Sequence, residues 1–394
     1  MTDMFERELD RLQEQYLMRT QVHIGSAQGP RITVDGKPVV LLCSNDYLGL
    51  AEHPALKQAA CAAMEQYGFG SGASRLISGN TELHEKLERR IALFKRTEAA
   101  VLFNSGYAAN TGVIPAVAGE RDLILSDRLN HASIIDGCRL SRARTEVFRH
   151  RDMDHLESLL RTNTSARRKL IVTDGVFSMD GDIAPLPDLV MLAERYDAIL
   201  MVDDAHATGV LGKQGRGTAE HFGLKDKVHI QMGTLGKALG SFGAYVAGDR
   251  DVVRYLLNTC RSYMFSTSLP PAVCAASIAA LDLMASEPWR REKLWENRDR
   301  LAHGLTSVGI STVPSATPIF PILVGTSDRA LQAAQKAFEH GLFATAIRPP
   351  TVTDGSARIR ATVMATHSEE DIDQAIWIFG KLNEEGYFSH GKPG

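Results

Sequence analysis

The chain is poor in cysteine, and the few thiols it has are unpatterned. Cys43, Cys61, Cys138, Cys260 and Cys274 are odd in number, widely scattered over 394 residues, and form no Cys-x-x-Cys. This excludes a disulfide framework and a structural zinc site, and points to reduced thiols in a cytoplasmic protein. Thirteen histidines include no His-Glu-x-x-His and no cluster at metal-ligand spacing, so no metal is expected. No apolar run is long enough to span a bilayer, and the acidic, periodic N-terminus lacks the apolar core of a signal peptide. No membrane partner is expected. The formal net charge is only -3, and the short basic clusters Arg139–Arg144 and Arg167–Lys169 carry no interleaved aromatics. Nucleic acid is therefore not an expected partner either. There is no internal repeat and no low-complexity linker.

What is present is ordinary globular material, 44% hydrophobic and 23% charged, enough for a large core and more than one domain. Residues 3–20 carry apolar positions at helical spacing and read as an amphipathic arm. Helices are expected at 54–67 and 81–95, with Pro54 suited to a first turn. From 99 to 203 strand and helix signals alternate, with strands near 99–103, 122–126, 145–149, 169–174 and 198–203. Further strands are expected at 228–234 and 243–247. The pattern predicts an α/β fold with a mostly parallel sheet flanked by helices. Beyond about 250 it changes to long helices over 270–308, then strands at 318–323, 342–347 and 357–362, and a last helix over 369–384. This reads as an N-terminal arm (1–45) joining a smaller α+β C-terminal domain (286–394), around a large domain (46–285). The tail 389–394 is expected to be disordered.

The chemistry gathers at strand ends. Ala198–Val202 is an apolar run that ends in Asp203-Asp204-Ala205-His206. Val228–Gly233 is a second, ending in Thr234-Leu235-Gly236-Lys237-Ala238-Leu239-Gly240. Two buried strands thus deliver a carboxylate, an imidazole, a hydroxyl and an amine to one sheet edge, where open α/β sheets bind ligands. Gly236-Lys237 is not a phosphate-binding P-loop, because Gln231 stands where the first glycine belongs and Ala238 where Ser or Thr belongs. An amine among small residues with a carboxylate nearby suits pyridoxal 5'-phosphate (PLP), with Lys237 as Schiff-base lysine and Asp203 keeping the pyridine nitrogen protonated.

Other strand ends add to this set. Asn104–Asn110 follows a strand and opens a helix, so the free N–H groups around Gly106 and Tyr107 form an anion site for the cofactor phosphate. Tyr107 is either a core aromatic or a cofactor contact. His131, after another strand, is placed to stack on the pyridine face. Ser178 ends a third strand, to bond the phenolic oxygen or lie near the reacting carbon, and His206 is a second candidate for the phenolic oxygen. Gly68–Ala73 fits Gly-x-Gly-x-x-Ala but follows a helix, not a strand, which rejects a nicotinamide site. It reads as a turn with Ser74 and Arg75 facing a ligand. Arg358 and Arg360 alternate on one strand, so they share a face, and either is a candidate clamp for a carboxylate.

These motifs, together with Ser44–Leu50 and Ala346–Val352, resemble the α-oxoamine synthases of the fold-type I PLP-dependent transferase superfamily, over nearly the whole chain. The resemblance implies Lys237 as the Schiff-base lysine, Asp203 as the pyridinium partner, His206 as phenolate ligand and His131 as stacking residue, these four being catalytic. It implies cofactor contacts from Gly106, Tyr107, Ser178 and Thr234, and substrate contacts from Arg19, Asn45, Thr351 and Arg360, to which the turn reading adds Ser74. The segment around Thr267 resembles the one reaching a neighbour's cofactor phosphate, which implies a homodimer. Arg348-Pro349-Pro350-Thr351-Val352 most resembles the member that condenses L-alanine with a pimeloyl thioester, on coenzyme A (pimeloyl-CoA) or acyl carrier protein (pimeloyl-ACP), in biotin biosynthesis. The alternatives are the same chemistry with glycine and acetyl-CoA and, more distantly, a non-catalytic subunit.

Overall fold

The computed structural model describes residues 2–312 and 315–388, so the expected disorder of 389–394 lies outside the described residues. Two compact units emerge. One comprises Met1–Gly49, Met179–Asp182 and Glu292–Gly394, the other Leu50–Ser178 and Ile183–Arg291. Among the described residues no helix is long and apolar enough to cross a membrane.

The strands run β1 (Arg31–Val34), β2 (Lys37–Leu41), β3 (Ala99–Phe103), β4 (Leu123–Asp127), β5 (Arg144–Phe148), β6 (Lys169–Asp174), β7 (Ala198–Asp203), β8 (Ile230–Thr234), β9 (Ala244–Gly248), β10 (Ile319–Gly325), β11 (Leu342–Phe343), β12 (Thr345–Ile347) and β13 (Ala357–Thr362). The larger unit is built on a seven-stranded sheet of order β3-β9-β8-β7-β6-β4-β5. Its pairs β8–β7, β7–β6, β6–β4 and β4–β5 are parallel, and β9 lies antiparallel to both its neighbours. The sheet is thus mostly parallel, as the alternation predicts, with one reversed strand.

Side chains alternate across this sheet with period two. Leu170, Val172, Met201 and Met232 pack with Val113 and Ile114 of the helix Gly106–Val117 on one face. Ile171, Leu200 and Val202 pack with Leu156, Leu160 and Leu189 on the other. Both faces are covered, which is why these strands read as unbroken apolar runs. Each such fully buried aliphatic side chain contributes on the order of 1.5–3 kcal/mol. The helix starts are set locally. His53 and Ser105 accept first-turn N–H groups of their helices, and Thr81 forms a capping box with His84.

The smaller unit holds two three-stranded sheets, β1-β2-β11 and β10-β13-β12. The hairpin β1–β2 turns at Asp35-Gly36, both at positive φ (46° and 79°). In the sequence the apolar run Val39–Cys43 reads as a short buried strand and marks only the second strand of this hairpin, which spans Lys37–Leu41. The strand expected over 342–347 divides between the two sheets, and the N-terminal helix, Thr2–Glu14, is shorter than the periodic stretch suggests.

Candidate active site

The larger unit carries a cavity of about 210 Å³ lined by Gly106, Tyr107, His131, Ser133, Asp174, Ser178, Asp203, Ala205, His206, Met232, Thr234 and Lys237. Apart from Met232, in the middle of β8, every member sits at or just past the carboxyl end of β3, β4, β6, β7 or β8, or on the helix that follows. The fold therefore assembles the cavity from five separate segments, at the edge where ligands of such sheets bind.

Lys237 sits in a closed turn between β8 and β9. Leu235 N–H donates to Gly243 O at 2.9 Å, and Gly240 N–H donates to Lys237 O at 2.8 Å. The Thr234 hydroxyl donates to Gly243 O at 2.9 Å and accepts Gly236 N–H at 3.2 Å, bracing the base of the turn. Gly240 is at φ +60°, and a Cβ there would lie 2.3 Å from Ala51 N, so this turn requires glycine. The Lys237 amine lies 2.8 Å from His206 Nε2.

Asp203 is buried at the end of β7. Its carboxylate accepts the Asn110 amide at 2.8 Å and Ala205 N–H at 2.9 Å. Burial pushes its carboxyl up, while the Asn110 amide and the Lys237 charge pull it back down. His131 caps the helix Ala132–Ser141, its Nδ1 meeting Ser133 Oγ at 2.8 Å. Burial lowers the His131 pKa, so the imidazole is neutral at pH 7. Ser105 caps the helix Gly106–Val117 by accepting Ala108 N–H at 3.1 Å. Gly106 lies at the opening of that helix, where a Cβ would come within 3.4 Å of the Met232 methyl. The Tyr107 hydroxyl donates to Asp136 on the helix Ala132–Ser141, which leaves its ring half exposed over the cavity.

These groups fit PLP. A primary amine, a buried carboxylate, a neutral imidazole and a helix N-terminus face one cavity, and the buried Asn110 Oδ1 beside Asp203 has no hydrogen-bond partner among the described residues. The structure brings Lys237, Asp203, His131, His206, Gly106, Tyr107, Ser178 and Thr234 together. Thr267 is not among them. It is exposed, and its backbone bridges Ser74 and accepts the Asn104 amide at 2.8 Å. Arg75 is not among the residues lining this cavity; its guanidinium forks onto Glu88 at 2.9 and 3.0 Å, the kind of partner a largely buried arginine requires.

In the smaller unit Arg360 is buried on β13, with Nη2 donating to Asn45 Oδ1 at 3.1 Å. Arg358, on the same face, is committed to Asp180 at 2.5 Å and to Met179 O at 3.3 Å. Arg19 is exposed and donates to Pro349 O at 3.3 Å, while Thr351, also exposed, donates its N–H to Arg348 O at 3.1 Å. Asn110, Ser133 and Asp174 were missed from the sequence. Asn110 lay inside a motif already singled out, one helical turn past Gly106 on the face toward β7. Asp174 is the acid that ends β6, four residues before Ser178.

The fold and the cavity together define a PLP-type transferase site. Residues 37–378 match the aminotransferase class I and II family, and the chain belongs to that family. Within it, the chain is 54% identical to the 8-amino-7-oxononanoate synthase of Geobacter sulfurreducens, over 98% of this chain and 99% of that protein. It is 56% identical to the 8-amino-7-oxononanoate synthase of Geotalea daltonii, over 94% and 95%. A serine palmitoyltransferase from S. paucimobilis, solved with PLP and myriocin bound, superposes with a TM-score of 0.92 at 29% identity, covering 97% of both chains.

Proposed function

We propose that this chain carries out the 8-amino-7-oxononanoate synthase reaction of biotin biosynthesis, as a PLP-dependent acyltransferase. L-Alanine and a pimeloyl thioester, on coenzyme A or acyl carrier protein, give 8-amino-7-oxononanoate, carbon dioxide and free thiol. The observation that carries the chemistry is that Lys237 and buried Asp203 face one cavity opened by a helix N-terminus. The substrate pair rests on the near full-length identity to enzymes named for this product.

Asp203 is the residue to face the pyridine nitrogen, and His131 the one to stack on the ring. His206 and Ser178 are the groups for the phenolic oxygen, and Thr234 with the first-turn N–H groups at Gly106 and Tyr107 for the phosphate. When bound, PLP withdraws electrons from the α-carbon of an amino acid joined to it. Lys237, freed by the amino acid, takes the α-proton on its amine and later returns it. His131 is placed to donate toward the thioester oxygen as charge develops there. Arg360, with Asn45, is the seat for the alanine carboxylate, and Arg19, Ser74 and Thr351 are the remaining substrate contacts. We further infer a homodimer in which Thr267 reaches the neighbour's cofactor phosphate.

The test is thiol release by the purified protein with PLP. Alanine with pimeloyl-CoA is expected to outpace glycine with acetyl-CoA. The reverse preference would move the assignment to a glycine acyltransferase, and no release from any amino acid–thioester pair would reject it.

A further inference from the structure

Two carboxyl groups, not one, line the cavity wall. Asp174 ends β6 and Asp203 ends β7, and their Cα atoms are partners in the parallel ladder. Both lie on the sheet face that also carries Leu170, Val172 and Met201. They are 6% and 3% exposed. Neighbouring buried carboxyls at the same register cannot both ionise without a large cost, so such a pair retains a proton.

We propose, building on the cofactor reading above, that Asp174 is a further residue of this site: a neutral carboxylic acid that fixes the His131 peptide and leaves Asp203 as the anion of the pair.

Hydrogen bonding decides which member holds the proton. Asp203 accepts two N–H groups, from Asn110 and Ala205. Asp174 accepts one, from the His131 backbone at 2.7 Å. The charged and titratable groups around Asp174 are Asp203 on β7, Asp127 on β4, Lys237 past β8 and His131 before its helix. Asp127 is itself paired with His150 at 2.9 Å. Burial pushes the Asp174 carboxyl up first and the Asp203 charge pushes it further, with Asp127 adding in the same direction. The His131 N–H and Lys237 oppose this without cancelling it.

Asp174 also closes a reciprocal clamp. Its own N–H donates to Asn130 Oδ1 at 2.9 Å, and the Asn130 amide donates to Val172 O at 2.9 Å and to Ser126 Oγ at 2.9 Å. The turn that carries the His131 imidazole is therefore fastened to the end of β6 by two side chains, Asn130 reaching from the turn to the strand and Asp174 from the strand to the turn. Removing the Asp174 acceptor frees the His131 peptide, and with it the ring that would lie against the cofactor. Asp174 is in this sense a positioning residue for His131.

The test uses Asp174→Ala and Asp174→Asn. PLP affinity is read by titration of the visible band between pH 6 and 9, and the charge state by infrared spectroscopy of the apoprotein. Asp174→Ala is expected to weaken PLP binding about tenfold, the loss of one hydrogen bond. The neutral isostere Asp174→Asn, which keeps an acceptor for His131 N–H, is expected to rescue it. The infrared carbonyl stretch of a protonated, buried carboxyl is expected in the wild-type apoprotein and missing in Asp174→Asn. Loss of PLP affinity in Asp174→Asn matching that of Asp203→Asn would overturn the proposal, as would wild-type affinity in Asp174→Ala or the absence of the infrared band. If Asp174→Ala does not fold, the Asn variant and the infrared band still decide. If the wild-type protein takes up no PLP, the cofactor reading fails separately, and the band alone reports the state of Asp174.

Discussion

The Asn110 amide nitrogen bonds Asp203 Oδ2 at 2.8 Å and Ser133 Oγ at 2.9 Å. One side chain thus ties the helix Gly106–Val117 to the end of β7 and to the helix Ala132–Ser141. Asn110 is the strongest influence holding the Asp203 carboxyl down against burial. In Asn110→Ala the Asp203 pKa rises, so a larger fraction is protonated at any given acidic pH. The expected outcome is PLP affinity weakened by about 1.5–3 kcal/mol, with the acid limb of the affinity–pH profile displaced to higher pH. Cofactor titration across pH in both proteins checks it; an unmoved limb would remove Asn110 from the control of Asp203.

Arg360 and Arg358 share a strand face but have different commitments. Arg358 is spent on Asp180, whereas Arg360 meets the Asn45 side chain. Arg360→Lys keeps the charge and loses the fork. Alanine binding is expected to weaken by about 1.5–3 kcal/mol, with PLP affinity unchanged. The spectral titration with alanine measures this directly. If the alanine dissociation constant is the same in both proteins, the carboxylate seat lies elsewhere.

His367 is a structural sensor of pH. Its Nδ1 accepts Met364 N–H at 2.9 Å and its Nε2 donates to Leu41 O at 3.0 Å, so the folded chain needs the neutral ring. Burial lowers its pKa from 6.5 to about 4. Between about pH 6.5 and about pH 4 the unfolded chain binds a proton that the folded chain does not. The stability it contributes is therefore present above 6.5 and lost as pH falls through that window, up to about 3 kcal/mol. Urea unfolding of wild type and His367→Asn at pH 7 and pH 5 checks it. The variant, which cannot titrate there, is expected to lose less stability over that step.

Gly240 closes the Lys237 turn at φ +60° against the backbone of Leu50 and Ala51. A methyl group there meets both the left-handed penalty and a backbone clash. Gly240→Ala is expected to cost about 2 kcal/mol or more, and to weaken PLP retention because the turn presents Lys237. Thermal unfolding and the visible band of the same sample report the two effects together. A variant with full stability and full colour would show that the turn has room to relax.

The strand ends were legible because a strand buried on both faces announces itself as an apolar run, and the first polar residues after it are the cavity's lining. That is how Asp203, His131 and Thr234 are found. Direction is not legible in the same way: the run at β9 looks like any other, and only its antiparallel pairing with β3 and β8 sets it apart. The strand β1 was missed because Arg31–Val34 is four residues long, although the Asp35-Gly36 turn beside it is a hairpin signal. Asp174 and Asn110 were missed for a different reason. Each acts through a neighbour in space that is distant in sequence: Asp174 through His131 43 residues away and Asn110 through Asp203 93 residues away. Arg75 shows the converse, an arginine that looked available in sequence but is consumed by Glu88.

The claim at the centre of this account is that the chemistry runs through the Lys237 amine. Borohydride reduction of the PLP-loaded protein, followed by proteolysis and mass spectrometry, tests it most directly. The account predicts one pyridoxyl-modified peptide, containing Lys237, and none after Lys237→Ala. Modification at another lysine, with Lys237→Ala retaining both colour and thiol release, would contradict it.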